Sequence, residues 1–424
     1  MTNTPEGVRD IYGEECRRKL AVQEKILHTL YLYGCEHIQT PSFEYADIFN
    51  EDRGSVASEE MFRFFDRDNH MLVLRPDMTP AVARCAAKYF MDGETPLRVC
   101  FLERTFTNNT SFRGRLKERA ESGAELLGDD SPDADAEVIA MAVDCLKAAG
   151  LKEFQVELGQ AAFYRSLAEE AGLEEEDREE LDRLIENKNR FGTEAFLKTH
   201  SIREDLKEAL LKTTETFGDI EKIRRAKVLT ANEKALKAIE RLERVHTLLE
   251  EYKVADCVSY DLGMVSRFQY YTGIIFKAYT YGTGDYIVTG GRYDRLLMQF
   301  GKDTPAVGFA IVVDQLMAAL LRQKIDVPLT AGATMILYEP EARENAVCLS
   351  RLFRSQDRPV QPVSRAPGKT FEDYKDMARK RRLRNILYLK DNRSFVTAFD
   401  TLTGNVDEIC CPPVNKQIRK EVRT

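Results

Sequence analysis

The sequence predicts an α+β protein in which strand hairpins alternate with helices, a long helical insertion interrupts them, and a small α/β domain follows. Three observations carry this. Two ten-residue strand-like runs, Leu97 to Phe106 and Glu118 to Leu127, flank a polar loop, Thr107 to Lys117. The stretch from Leu173 to Tyr252 is highly charged, with helical spacings such as Leu236, Ile239, Leu242, Val245 and Leu249 and no strand signal. Beyond Arg322 to Gly332, a linker carrying Pro328, strand and helix patterns alternate as in βαβ units. At 424 residues the chain is too long for one core, so two or three domains are expected. The division read from these shifts is a core over residues 1–165 and 255–322, a helical insertion over 166–254 and an α/β domain over 333–424.

In chain order, Val22, Ile26 and Leu30, with Leu27 and Tyr31 beside them, make an apolar helical stripe, and Gly34 follows as a left-handed cap. Phe62 to Phe65 and Met71 to Leu74 form a hairpin about the turn Asp66-Arg67-Asp68-Asn69. Thr79-Pro80 opens a helix, Thr79 as N-cap and Pro80 at its first position. A helix from about Ala134 to Ala149 closes on Gly150, and Phe154, Val156 and Leu158 alternate as a strand. Strands return at Gln269 to Tyr279 and Tyr286 to Thr289, with a Gly-Thr-Gly turn between them. In the last domain the pattern runs Thr334 to Leu337, Asn345 to Phe353, Val360 to Val363, Phe371 to Arg382 and Asn385 to Leu389.

Composition excludes several functions. Lys and Arg number 62 against 70 Asp and Glu, a net charge of −8, which disfavours a chain built mainly to grip nucleic acid. No apolar run approaches the roughly 18 residues that span a bilayer, and Met1 to Glu6 has no signal-peptide character. A cytoplasmic protein with no membrane association is expected. The nine cysteines are odd in number and scattered, without a CxxC pair, and the five histidines show no HExxH spacing. Neither a disulfide framework nor a metal site is expected, and no cofactor.

Six motifs occur in one order: Asn3 to Asp10, Pro41-Ser42-Phe43-Glu44, Arg75 to Arg84, Gln269-Tyr270-Tyr271-Thr272-Gly273, Gly290-Gly291-Arg292-Tyr293-Asp294, and Pro305 to Phe309. Together they resemble the histidyl-tRNA synthetase family of class II synthetases over roughly residues 1 to 320. The last domain is similar, more loosely, to an anticodon-binding domain. The resemblance implies a class II antiparallel sheet, and a homodimer through the segment from the first helix to Glu44.

Amino-acid activation in that family depends on arginines, because a guanidinium binds phosphate bidentately and stays charged. The resemblance implies three such positions. They fall here on Thr107, Ser266 (with Arg267 out of register beside it) and Gln315, all neutral. Losing three charge-assisted contacts costs on the order of 5–9 kcal/mol, roughly 10³ to 10⁶ in rate. In another register Arg104, Arg113 or Arg267 would have to substitute.

A synthetase fold without its ATP arginines is similar to the regulatory subunits of ATP phosphoribosyltransferase. That resemblance implies a non-catalytic role in histidine biosynthesis, a short-form catalytic subunit as partner, and histidine as ligand, with tRNA not expected. Family motifs place a histidine pocket on Asp77, Thr79, Glu121, Glu125, Tyr270, Tyr271 and Tyr293. Paired carboxylates suit an ammonium and ring nitrogens, and tyrosines supply walls and hydroxyls. Asp77 stands where the family has Glu, and Glu121 where it has Gln. The rivals are an active histidyl-tRNA synthetase and a stand-alone amino-acid- or tRNA-binding module. The module is favoured by the C-terminal domain, which many regulatory subunits lack.

Simpler explanations stand beside these. Thr79 is accounted for as a helix cap, Tyr270 and Tyr271 as ordinary core and surface aromatics of a strand, and Gly290-Gly291 as a closely packed strand end. Arg292 has Asp294 and Glu44 as candidate partners. Pro367-Gly368-Lys369-Thr370 ends like a phosphate-binding loop, but Val363 stands where its first glycine must be. The basic run Arg379 to Arg384 complements a helix C-terminus, and Glu174 to Glu186 is a solvated helix face.

Overall fold

The computed structural model describes residues 3–49, 56–90, 95–109, 116–265, 270–281, 283–329, 332–391 and 395–410. The chain forms two compact units, Met1–Pro328 and Leu329–Thr424. No helix among the described residues is long and apolar enough to cross a membrane.

Unit one opens on α1 (Gly13–Leu32), whose stripe of Val22, Ile26 and Leu30 is fully buried. Gly34 ends it at φ +78°, a left-handed turn that brings the Cys35 N–H to the Leu30 carbonyl. After β1 (Glu36–His37) and β2 (Phe43–Tyr45) comes the expected hairpin of β3 (Arg63–Phe65) and β4 (Met71–Leu74). Its turn is fixed by Asp66, whose carboxylate accepts from the Asp68 and His70 N–H groups. The order β2–β4–β3 makes a small separate sheet. Next are α2 (Thr79–Tyr89), β5 (Leu97–Phe106) and β6 (Glu118–Leu127). Then α3 (Pro132–Ala149) starts on the Ser131 hydroxyl and stops at Gly150, and β7 (Gln155–Gln160) follows.

The helical stretch comprises α4 (Ala161–Glu170), α5 (Glu175–Glu186), α6 (Arg190–Thr199), α7 (Glu204–Thr213), α8 (Ile220–Arg225) and α9 (Glu233–Glu251), with β8 (Phe217–Gly218) between α7 and α8. The expectation of a segment without strands is corrected there, because Phe217 and Gly218 pair with β9 (Val258–Asp261). Leu181, Ile185, Leu210 and Leu242 share one core with Val22, Val138 and Leu158, so these helices are packed onto the sheet's own hydrophobic layer. In α5 the acidic face is solvated, as expected, while Leu181 and Ile185 anchor the helix.

The unit closes with β10 (Ile274–Tyr279), β11 (Val288–Arg292), β12 (Ala306–Val312) and α10 (Val313–Arg322). The nine-stranded sheet runs β1–β5–β6–β12–β11–β10–β7–β9–β8. From β5 to β7 it is antiparallel, but β1–β5 and β7–β9 pair parallel. The sheet is therefore mixed at both ends of an antiparallel centre. Neither parallel pair has a hairpin turn to mark it, so both were invisible to turn chemistry.

Unit two contains β13 (Thr334–Tyr338), α11 (Arg343–Ser355), β14 (Val360–Ser364), α12 (Phe371–Lys380), β15 (Asn385–Leu389), β16 (Phe395–Asp400) and β17 (Val406–Cys410). The order β14–β13–β15–β16–β17 starts parallel, as βαβ units require, and ends with two antiparallel strands that the sequence pattern did not reveal. Thr370 belongs to a capping box: its hydroxyl accepts from the Asp373 N–H while the Asp373 carboxylate accepts from the Thr370 N–H. The segment that ends like a phosphate-binding loop is thus a helix start. Thr370→Ala is expected to lower the stability of unit two by about 1 kcal/mol, read as a urea midpoint shift without a change in slope.

Candidate active site geometry

Period-two alternation along β6 sets Arg119, Glu121, Gly123 and Glu125 on one face of the sheet. Across the strand pair, Gly308 of β12 lies opposite Glu125. A Cβ on Gly308 would come within 1.4 Å of Glu125 Oε2, so only glycine leaves room for this carboxyl. Above the same face sits the start of α2, and from the neighbouring strands come Tyr270 and Tyr271, just before β10, and Tyr293, just after β11.

The side chains form one connected network. Tyr270 Oη donates to Asp77 Oδ2 at 2.9 Å, and the Thr79 N–H to Asp77 Oδ1 at 3.1 Å. Glu125 accepts from Thr79 Oγ1 at 3.1 Å and from Tyr293 Oη at 2.6 Å. Thr105 Oγ1 donates to Glu121 Oε1 at 2.9 Å. The Tyr270 ring centroid lies 4.8 Å from that of Tyr271 and 6.0 Å from that of Tyr293, both tilted towards edge-on contacts. Glu125 is 2% exposed.

Two simpler explanations are corrected here. Thr79 is not the cap of α2: Met78 holds that position, no side-chain cap is made, and the Thr79 hydroxyl turns to Glu125 instead. The Asp77 carboxylate accepts instead from the Thr79 N–H, one of the free donors of the helix's first turn. Tyr270 and Tyr271 are not one core and one surface residue, since both are buried and both line the pocket.

The pocket is lined by Asp77, Thr79, Glu121, Tyr270, Tyr271 and Tyr293, together with Arg119, Tyr286 and Thr289, which sequence reasoning passed over. Glu125 stands one hydrogen bond behind this wall, holding Thr79 and Tyr293. The room left inside is about 40 Å³, space for a few waters. Arg119 was findable, because it precedes Glu121 by two residues on the same strand and so shares its face.

Burial dominates the electrostatics. It pushes the Glu125 carboxyl up to about 8, against the pull of its hydrogen bonds from Tyr293 and Thr79. Burial, and then the Glu121 charge, raise Asp77 to about 6. Glu121 is also raised by burial, although Arg119 opposes the shift. The Tyr293 phenol is held far above its ordinary value by burial and by Glu125. At neutral pH Glu125 is therefore protonated and Asp77 ionised, with the Arg119 guanidinium beside Glu121.

The positions implied for ATP arginines can be followed in part. Thr107 follows β5 and has a buried Oγ1 with no hydrogen-bond partner among the described residues, and Gln315 lies on α10. Ser266, Arg267 and Arg113 lie outside the described residues. Arg104 pairs with Glu118, borders a different cavity, and is 69% exposed. Arg292 is fully engaged by Asp135 at 2.7 Å and Asp294 at 3.0 Å, while Glu44 pairs with Arg84. Arg75 is buried on Thr40, Pro41 and Glu103. These last two are structural cations. Among the described residues, the group able to share a metal is Asp66, Asp68 and His70, where Asp66 already braces an exposed turn.

The chain is similar to known proteins along most of its length. The family model for histidyl-tRNA synthetase matches residues 7–316. An ATP phosphoribosyltransferase regulatory subunit of Acetivibrio thermocellus is 38% identical over 391 residues, covering 92% of this chain and 93% of the relative. One of Ruminiclostridium cellulolyticum is 36% identical over 413 residues, covering 95% and 98%. A Bacillus halodurans crystal structure described as an ATP phosphoribosyltransferase regulatory subunit/histidyl-tRNA synthetase superposes with a TM-score of 0.82 at 28% identity, over 92% of this chain and 98% of that one. A Nostoc histidyl-tRNA synthetase shares the fold, with a TM-score of 0.80 at 18% identity over 99% of both chains.

Proposed function

The chain belongs to the histidyl-tRNA synthetase family and, within it, to the regulatory subunits of ATP phosphoribosyltransferase, and on that premise we propose that its pocket binds free histidine as a signal rather than a substrate. Its role is that of a regulatory subunit in histidine biosynthesis. The observation that carries the histidine reading is the meeting of Asp77 and Glu121 with Thr79 and three tyrosines in one pocket, with Glu125 locking the wall behind. Asp77 and Glu121 would take the α-ammonium and a ring nitrogen, while Tyr270, Tyr271 and Tyr293 would enclose the imidazole. The present room of about 40 Å³ requires the side chains to part as histidine enters.

Synthetase activity is not proposed. Thr107 and Gln315 offer no charge to a pentavalent phosphorus, and positioned charge is the main resource of such a site. We further propose a short-form catalytic subunit as partner, a homodimer within that complex, and a cytoplasmic location. Exposed Leu20 and Leu32 on α1 and Phe43 and Tyr45 on β2 supply apolar surface for the dimer.

The C-terminal unit does not favour a stand-alone tRNA-binding module. Unit one ends at Pro328, so an alignment of 391 residues with a regulatory subunit necessarily extends into unit two.

The test is calorimetry of the purified chain with L-histidine and then with ATP and Mg²⁺, followed by co-expression with a short-form catalytic subunit. Histidine heat without ATP heat, and co-purification, are the expected results. Histidine-driven ATP–pyrophosphate exchange would instead establish an active synthetase, and silence towards histidine would end the sensing role.

A further inference from the structure

We propose that Arg119 is the anchor for the ligand's α-carboxylate, so that the site recognises a free amino acid by its acid group. This rests on the reading of the pocket as a histidine site.

Arg119 is the one cation lining the pocket among the described residues, facing Asp77, Glu121 and four tyrosines. Carboxylates answer the cationic groups of an amino acid, but nothing else in the lining answers its anion. A carboxylate entering a pocket of carboxylates without a cation would meet only repulsion. The arginine is also poorly engaged. Its ion pair with Glu121 spans 3.7 Å, beyond hydrogen-bond length, and Glu121 Oε1 takes its hydrogen bond from Thr105. Arg119 Nε is buried, yet it has no hydrogen-bond partner among the described residues. Tyr286 is its hydrogen-bond neighbour. A guanidinium carries five donors in a planar fork, and buried polar groups are normally satisfied. An orphaned Nε beside a loosely held terminus is the edge a carboxylate pairs with bidentately.

The arrangement has a second consequence. A long side chain held by one long ion pair and the Tyr286 hydrogen bond can swing on its flexible stem, and its movement would enlarge the 40 Å³ cavity. The carboxylate that opens the pocket is then the group that fixes the arginine in its new place.

The experiment compares L-histidine with L-histidinol, which keeps the ammonium and imidazole and replaces the carboxylate by an alcohol. Calorimetry is run on the full chain, on Arg119→Met and on Arg119→Lys, with far-UV circular dichroism as the folding control. The wild type is expected to prefer histidine by roughly tenfold to a hundredfold. Arg119→Met is expected to lose that preference while binding histidinol within about threefold of wild type, and Arg119→Lys to recover part of it. Equal affinity of the wild type for both compounds overturns the proposal, as does undiminished histidine binding by Arg119→Met. A parallel loss of both compounds in Arg119→Met would make the residue structural, and overturns it too. Wild type silent to both compounds removes the histidine reading itself, and the anchor with it.

Discussion

Glu125→Gln is expected to stabilise the unliganded protein at pH 8 and to change it little at pH 5, while weakening histidine binding by about tenfold or more. The carboxyl is 2% exposed and titrates near 8 in the folded chain against 4.5 unfolded. Its folded pKa is raised, so the native state holds a proton that the unfolded state releases. Below about pH 4.5 both states are protonated and the group costs nothing. Between about 4.5 and 8 stability falls by up to roughly 1.4 kcal/mol per pH unit, reaching on the order of 4 kcal/mol above 8. Asp77, raised to about 6, adds a loss of the same sign at lower pH. The amide of Gln never ionises, so the upper part of that loss disappears. The amide's one oxygen can accept from Tyr293 or from Thr79, while its NH2 donates to the other hydroxyl, in place of the two bonds that Glu125 accepts now. Binding moves the other way, because a carboxyl that can ionise to meet a cationic ligand is replaced by an amide that cannot. Thermal melts at pH 5, 6.5 and 8 decide the matter: a gap between variant and wild type that stays constant with pH would mean Glu125 is already ionised in the folded state.

Much of this site could be read from the sequence, and the reasons differ by residue. Strands β5 and β6 announced themselves end to end, because two ten-residue runs bounded by polar loops leave little else for the chain to form. The face of β6 was equally legible once its start was fixed, since alternation alone puts Glu121 and Glu125 together. Arg119 obeys the same rule, but no family motif marks its position. Thr79 failed for a different reason. Ser and Thr before a helix are capping residues by local chemistry, and what overrode this was a carboxyl 46 positions away that local chemistry cannot see. The parallel edge pairs and the β16–β17 extension share that limitation, for no turn signature marked their pairing. The family resemblance supplied what spacing could not, namely which acidic residues face a common pocket.

Gly308→Ala and Gly123→Ala are both expected to cost about 3–5 kcal/mol, but only the first should be relieved by also removing the Glu125 side chain. Both glycines sit where β6 and β12 approach closely. At Gly123 a new Cβ would fall 1.9 Å from the Phe309 carbonyl oxygen and 2.9 Å from the Phe101 ring. The first of these is backbone in the middle of a nine-stranded sheet, so the strands themselves would have to separate. At Gly308 the clash is with a side chain: Glu125 Oε2 at 1.4 Å and Cδ at 2.3 Å, with the Ala124 carbonyl oxygen further off at 2.8 Å. The Glu125 carboxyl must leave, abandoning Tyr293 as a buried donor without an acceptor, worth roughly 1–3 kcal/mol, and half-buried Thr79 at a smaller cost. In a Glu125→Ala background that displacement has already happened. Gly308→Ala should then cost at least about 2 kcal/mol less than in the wild type, whereas Gly123→Ala should cost the same within about 1 kcal/mol. Urea midpoints for the three single variants and the two doubles with Glu125→Ala give both coupling energies. Equal coupling at the two glycines would show that strand spacing, and not the space reserved for one buried carboxyl, is what Gly308 protects.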